Sequence, residues 1–149
     1  MNQFNQQVPR YTSYPTAPHF HERIKGENYQ LWLNTLPDVS RLALYVHIPF
    51  CAQLCWYCGC HTRITQRYAP LEDYIYLLRR EIALVSEQLR SGQQVTQIHF
   101  GGGSPTQLLP SMFATVMATI REYFNLSSTC EIAIEIDPRG LTAEKAAVY

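Results

Sequence analysis

Four cysteines fall within ten residues, Cys51, Cys55, Cys58 and Cys60. The first three are spaced CxxxCxxC, and thiolates crowded into one short loop suit three corners of an iron–sulfur cube. Such cubes are normally held by four thiolates, so a three-thiolate loop leaves one iron open to a bound molecule. Electron transfer and chemistry on a ligand then become available at one place. The same run admits a structural zinc site, with Cys60 or His61 as the fourth ligand, although zinc ligands usually come as two separated pairs. A disulfide framework fits less well. The cysteine count of five is odd, Cys130 lies far from the other four, and no basic-then-apolar secretory segment opens the chain. Reduced thiols in a cytoplasmic protein are the expectation.

Two further constellations bear chemistry. Three consecutive glycines, Gly101 to Gly103, precede Ser104, Pro105 and Thr106. Glycines permit positive φ and remove side chains, so a ligand can approach backbone N–H and C=O groups closely. Alone, a glycine triplet is also consistent with a plain loop. Glu135 and Asp137 form the third constellation, two carboxylates close to a predicted turn at Asp137-Pro138-Arg139-Gly140.

The elements that must position these residues follow a repeated plan. Leu42 to Ile48 is short, apolar and β-prone, ends at Pro49, and leads straight into the cysteine loop. From Pro70 to Arg90 the apolar residues Leu71, Tyr74, Ile75, Leu78, Ile82, Val85 and Leu89 recur at helical spacing, with Gly92 beyond the end. Val95 to Phe100 reads as a second strand that leads into the glycines. Pro110 to Phe124 reads as a helix carrying Phe113, Val116, Met117, Ile120 and Phe124 on one face. A third strand is expected from Glu131, where Ile132, Ile134 and Ile136 alternate with Glu131, Ala133 and Glu135. Thr142 is placed to cap a further helix.

Strand, loop and helix in that order predict parallel βα units with right-handed crossovers, hence an α/β chain whose strands lie side by side. Each constellation then sits at the C-terminal end of a strand, the edge where α/β barrels and open parallel sheets bind ligands. A closed (β/α)₈ barrel takes about 250 residues, so 149 residues predict a partial barrel, an N-terminal fragment. Residues 1–41 are expected to form an arm and 42–149 the first βα units. The composition, 46% hydrophobic with 12% aromatic residues, suits one globular domain. Zero formal net charge and the lack of a Lys/Arg block argue against a nucleic-acid surface, and no apolar run is long enough to span a membrane.

The CxxxCxxC spacing resembles the signature of the radical S-adenosylmethionine superfamily. There a [4Fe–4S] cluster binds S-adenosylmethionine through its open iron. Within it, Pro9 to Thr16, Tyr45 to Cys51, Cys58-Gly59-Cys60, Gly101 to Thr106 and Glu135 to Arg139 resemble the family of oxygen-independent coproporphyrinogen III oxidases over nearly the whole chain. The resemblance implies oxidative decarboxylation of two propionates of coproporphyrinogen III to vinyl groups, giving protoporphyrinogen IX in haem biosynthesis. It implies a 5′-deoxyadenosyl radical as hydrogen abstractor, an external electron donor and a monomer. Carried over by position, Cys51, Cys55 and Cys58 ligate the cluster, Tyr45 and Gly102 contact S-adenosylmethionine, and Glu135 grips its ribose. Tyr57, Gly103 and Ser104 match positions that hold a second S-adenosylmethionine, with Tyr57 standing where the family has Phe and Ser104 where it has Thr. Arg10 is a candidate partner for a substrate propionate.

The same scaffold also serves haem chaperones. Those carry Phe two places after the third cysteine, so Cys60 points to the oxidases. Tyr45 and His47 could still be interior residues of a strand, Glu135 part of a solvent-facing edge, and Cys60 a small buried side chain.

Overall fold

The computed structural model describes residues 19–149. Arg10 and the segment 9–16 lie outside them. The described elements are α1 (Gly26–Asn34), β1 (Arg41–Ile48), β2 (Phe50–Cys51), β3 (Arg63–Ile64), α2 (Ala69–Ser86), β4 (Gln94–Gly102), α3 (Pro110–Tyr123), β5 (Leu126–Ile134) and α4 (Ala143–Val148). Strands β1, β4 and β5 pair in that order, and both pairings are parallel. The three βα units expected from the periodicity are present.

The sequence explains how the helices start. Pro70 in the first turn of α2 and Pro110 at the start of α3 supply a fixed φ where no intrahelical N–H bond is lost. Thr142 caps α4, its side chain accepting from the Lys145 N–H. Along α2 the residues Leu71, Ile75, Leu78 and Ile82 are buried, the three- and four-residue spacing of one helical face. They meet Val46, Ile48, Ile98 and Phe100 of the sheet and Met112, Phe113, Val116, Met117 and Ile120 of α3 in one core. Phe100 is wholly buried and its ring centroid lies 5.0 Å from that of Phe113. Each fully buried side chain of this size stabilises the fold by roughly 1.5–3 kcal/mol.

Alternation along the strands gives the sheet a second face. Tyr45 pairs laterally with His99 and His99 with Ala133, while His47 pairs with Gly101. Tyr45, His47 and His99 alternate with the buried residues and project to the opposite side.

Four local features differ from the sequence reading. Helix α1, which carries Tyr29, Leu31 and Trp32 as exposed side chains, lies inside the stretch read as an arm. Helix α2 stops at Ser86 rather than Arg90. Strand β5 begins at Leu126, five residues before Glu131, because Val95 pairs with Leu126 across an irregularity in register. Its other end is Ile134, which leaves Ile136 outside the strand and half-exposed. Finally, β2 and β3 form a two-residue parallel pair, too short for any periodicity to announce.

Candidate functional site

The cysteine loop is pinned before it is chemically interesting. Arg63 N–H donates to Pro49 C=O at 2.7 Å and Thr65 N–H to Cys51 C=O at 2.9 Å, so β2 and β3 clasp the residues between them at both ends. The glycine loop joins the other edge of β2. Gly103 N–H donates to Ile48 C=O at 2.9 Å and Ser104 N–H to Phe50 C=O at 2.8 Å. Bulk is excluded at this junction: a Cβ on Gly103 would lie 2.5 Å from Thr62 Oγ1 and 2.6 Å from Phe50 O. Gly102 has φ +112°, which L side chains rarely adopt, and a Cβ there would meet the His47 ring at 2.6 Å.

Cys51, Cys55 and Cys58, together with Tyr57, Gly103, Ser104 and Glu135, line one cavity of about 960 Å³ at the strand ends. All five cysteines are free thiols. Among the described residues no three His, Cys, Asp or Glu side chains converge on a point that a single metal ion would occupy. The CxxxCxxC thiols, with Cys60 beside them, line a cavity large enough for a multi-atom, sulfur-held cluster with an attached organic ligand.

Tyr45 and Gly102 are set back from that cavity, within the open face of the sheet. Tyr45 is 59% exposed and stacks on His99 with centroids 5.8 Å apart, so it is no interior strand residue. His47 Nε2 lies 3.0 Å from the His61 carbonyl oxygen. A carbonyl only accepts, so Nε2–H donates there, while Nδ1 pairs with the Tyr45 hydroxyl at 3.1 Å. Burial first, then the nearby Glu135 and Cys60, push the Tyr45 phenol up. This keeps it a donor.

Glu135 follows β5 directly. Its N–H donates to Phe100 C=O at 2.9 Å, extending the ladder by one bond. One carboxylate oxygen accepts from His99 Nε2–H at 3.2 Å and the other from Gly102 N–H at 3.2 Å. A carboxylate has about four acceptor sites, and the side chain is 52% exposed. It is oriented by two donors and still open to more.

The remaining expected residues are placed less simply. Tyr57 is 91% exposed on the cavity wall. Ser104 is buried, and its hydroxyl pairs with that of Thr106 at 3.2 Å. Cys60 is exposed rather than a buried small residue. The sequence reading assigned nothing to Thr62, whose hydroxyl donates to Cys51 Sγ at 3.3 Å, or to Arg139 as a neighbour of the thiols. Arg139 stood two residues after Asp137 in a turn, but nothing in spacing signals a contact made across the fold.

A model described as the radical SAM superfamily matches residues 45–149. An oxygen-independent coproporphyrinogen III oxidase of Bradyrhizobium diazoefficiens is 50% identical over 139 residues, which are 93% of this chain and 31% of that protein. The enzyme of that name from Pseudomonas aeruginosa is 47% identical over 137 residues, 88% of this chain and 29% of the relative. Among solved structures, coproporphyrinogen III oxidase from Escherichia coli, described as a radical SAM enzyme, superposes with a TM-score of 0.85 at 36% identity. That match covers 93% of this chain and 31% of the other. The chain thus spans about a third of the length of the relatives it matches.

Proposed function

The chain belongs to the radical SAM superfamily, and from that premise we propose that it forms the cluster- and cofactor-binding part of an oxygen-independent coproporphyrinogen III oxidase. The reaction is oxidative decarboxylation of two propionates of coproporphyrinogen III to vinyl groups in haem biosynthesis, with a cytoplasmic location and an external electron donor. The observation that carries this reading is the single cavity shared by the three CxxxCxxC thiols, the glycine cradle and Glu135. When bound, the [4Fe–4S] cluster and S-adenosylmethionine supply an electron and a hydrogen-abstracting radical.

This chain's residues hold and orient those groups. Cys51, Cys55 and Cys58 are the cluster ligands, presented by a loop clasped at both ends. The glycine loop packs against His47, Thr62 and Phe50 where no side chain fits, which sets Gly103 and Ser104 at the cavity wall. Glu135, held by His99 and Gly102, directs its free acceptor sites at a ribose diol. Tyr45, a neutral hydroxyl donor on the same face, and Gly102 border the cofactor from behind the cavity wall. Tyr57, Gly103 and Ser104 serve a second S-adenosylmethionine. For that role the Ser104 hydroxyl must leave Thr106 or act through its backbone.

Anaerobic reconstitution with iron and sulfide tests the proposal. The reduced protein is expected to give a four-iron paramagnetic signal that shifts when S-adenosylmethionine is added, and the active protein to convert coproporphyrinogen III without oxygen. Stoichiometric zinc without sulfide overturns it. A cluster with haem binding but no decarboxylation selects a chaperone instead.

A further inference from the structure

The turn after β5 sends one side chain back to the cysteine loop. Arg139 Nη2 donates to Cys55 Sγ at 3.2 Å, a contact between residues 84 apart in sequence. Asp137 fixes the direction of that guanidinium. Arg139 Nε donates to Asp137 Oδ1 at 2.9 Å and Oδ2 at 3.1 Å, Nη2 donates to Oδ2 at 2.6 Å, and the Arg139 backbone N–H donates to Oδ1 at 3.0 Å. Pro138 between them opens a short 3₁₀ turn, which keeps the pair local and rigid. The planar fork can therefore serve a carboxylate with one edge and a sulfur with one nitrogen at the same time.

The three thiols are not alike in this respect. Cys51 accepts from a neutral hydroxyl, that of Thr62. Of the three, only Cys55 accepts from a cationic side chain. Asp137 does not displace the sulfur contact, because Nη2 serves Asp137 Oδ2 and Cys55 Sγ together.

We propose that Arg139, aimed by Asp137, is a positioning residue that hydrogen-bonds the Cys55 sulfur and raises the reduction potential of the iron–sulfur group held there. The inference rests on the reading of Cys55 as a cluster ligand. Adding an electron places more negative charge on the ligating sulfurs, so a donor at one of them stabilises the reduced form more than the oxidised form. An enzyme that must be reduced before it can act gains reduced population from that contact.

The test compares wild type, Arg139→Met and Arg139→Lys, reconstituted anaerobically. Iron and sulfide are measured first, and the midpoint potential is then followed by electron paramagnetic resonance. Arg139→Met, with full iron and sulfide, is expected to show a tenfold lower ratio of reduced to oxidised cluster at fixed potential, about 59 mV lower for a one-electron couple. Arg139→Lys restores part of that shift, because it keeps a charged donor but loses the fork. A full cluster with an unchanged midpoint in Arg139→Met overturns the inference. Where Arg139→Met loses its iron, recovery of iron by Arg139→Lys supports the inference. Loss in both variants with a native circular dichroism spectrum overturns it, because the contact then only shapes the loop. Failure of wild type itself to assemble four iron atoms strikes the cluster reading instead, and is told apart by occurring before any substitution.

Discussion

The two faces of the β1–β4–β5 sheet are made by neighbouring residues of the same strands and could hardly differ more. On one face Val46, Ile48, Ile98 and Phe100 are packed under α2 and α3. On the other, Tyr45, His47, His99 and Glu135 form a hydrogen-bonded and stacked row with substantial exposure. Parallel sheets are ordinarily covered on both faces and read as continuous apolar runs. A parallel sheet whose strands alternate instead has one face assigned to stability and one to chemistry. Substitutions should therefore separate the two properties according to the parity of the position.

The largest expected effect falls at the edge the two faces share. Cys55→Ala should abolish the four-iron signal while leaving the denaturation midpoint of the metal-free protein near wild type; retention of a full cluster would contradict a three-thiolate site. On the packed face, Phe100→Ala should cost about 3–5 kcal/mol, read from urea unfolding, and an effect below 1 kcal/mol would blur the contrast. Gly102→Ala sits between the two regimes. Its positive φ and the His47 ring at 2.6 Å from the new Cβ predict a loss of about 1–3 kcal/mol with weakened S-adenosylmethionine binding.

On the open face, Glu135→Gln should change stability by no more than about 0.5 kcal/mol. It should weaken S-adenosylmethionine roughly tenfold, as expected for one hydrogen bond to a charged acceptor, and calorimetric titration of the reconstituted protein would measure this. The smallest effect concerns pH and the packed side. Burial first, then Tyr68, pushes the Tyr149 phenol up to about 12 from the ordinary 10.0, and its hydroxyl donates to Leu108 C=O at 2.7 Å. Between those values the unfolded chain has released a proton that the folded chain keeps, so stability falls as pH rises. Urea midpoints at pH 9 and pH 11 should converge more for Tyr149→Phe than for wild type.

Much of this contrast was legible in the chain. The alternation of Ile132 and Ile134 with Glu131 and Glu135 assigned the carboxylate to the open side, and the strand–loop–helix order gathered the cysteines, glycines and Glu135 at one edge. What escaped was non-local or very short. The β2–β3 pair spans two residues per strand, too few for any periodicity to show. The early start of β5 depends on the partner β4, since Leu126 to Thr129 carries two serines and a threonine and would read as a loop by composition. The Arg139 contact with Cys55 requires the turn after the third strand to fold back over the loop after the first, and no local pattern encodes it.

The clasp of β2 on β3 has a consequence for metal uptake. A ligand loop anchored at both ends has already lost much of its freedom before any iron arrives, so the binding energy is not spent on closing it. Small zinc modules behave differently, unfolding when stripped because the metal supplies their folding energy. If the loop holds the proposed cluster, a chelator should strip the iron and leave a standing scaffold that takes up iron and sulfide again without refolding.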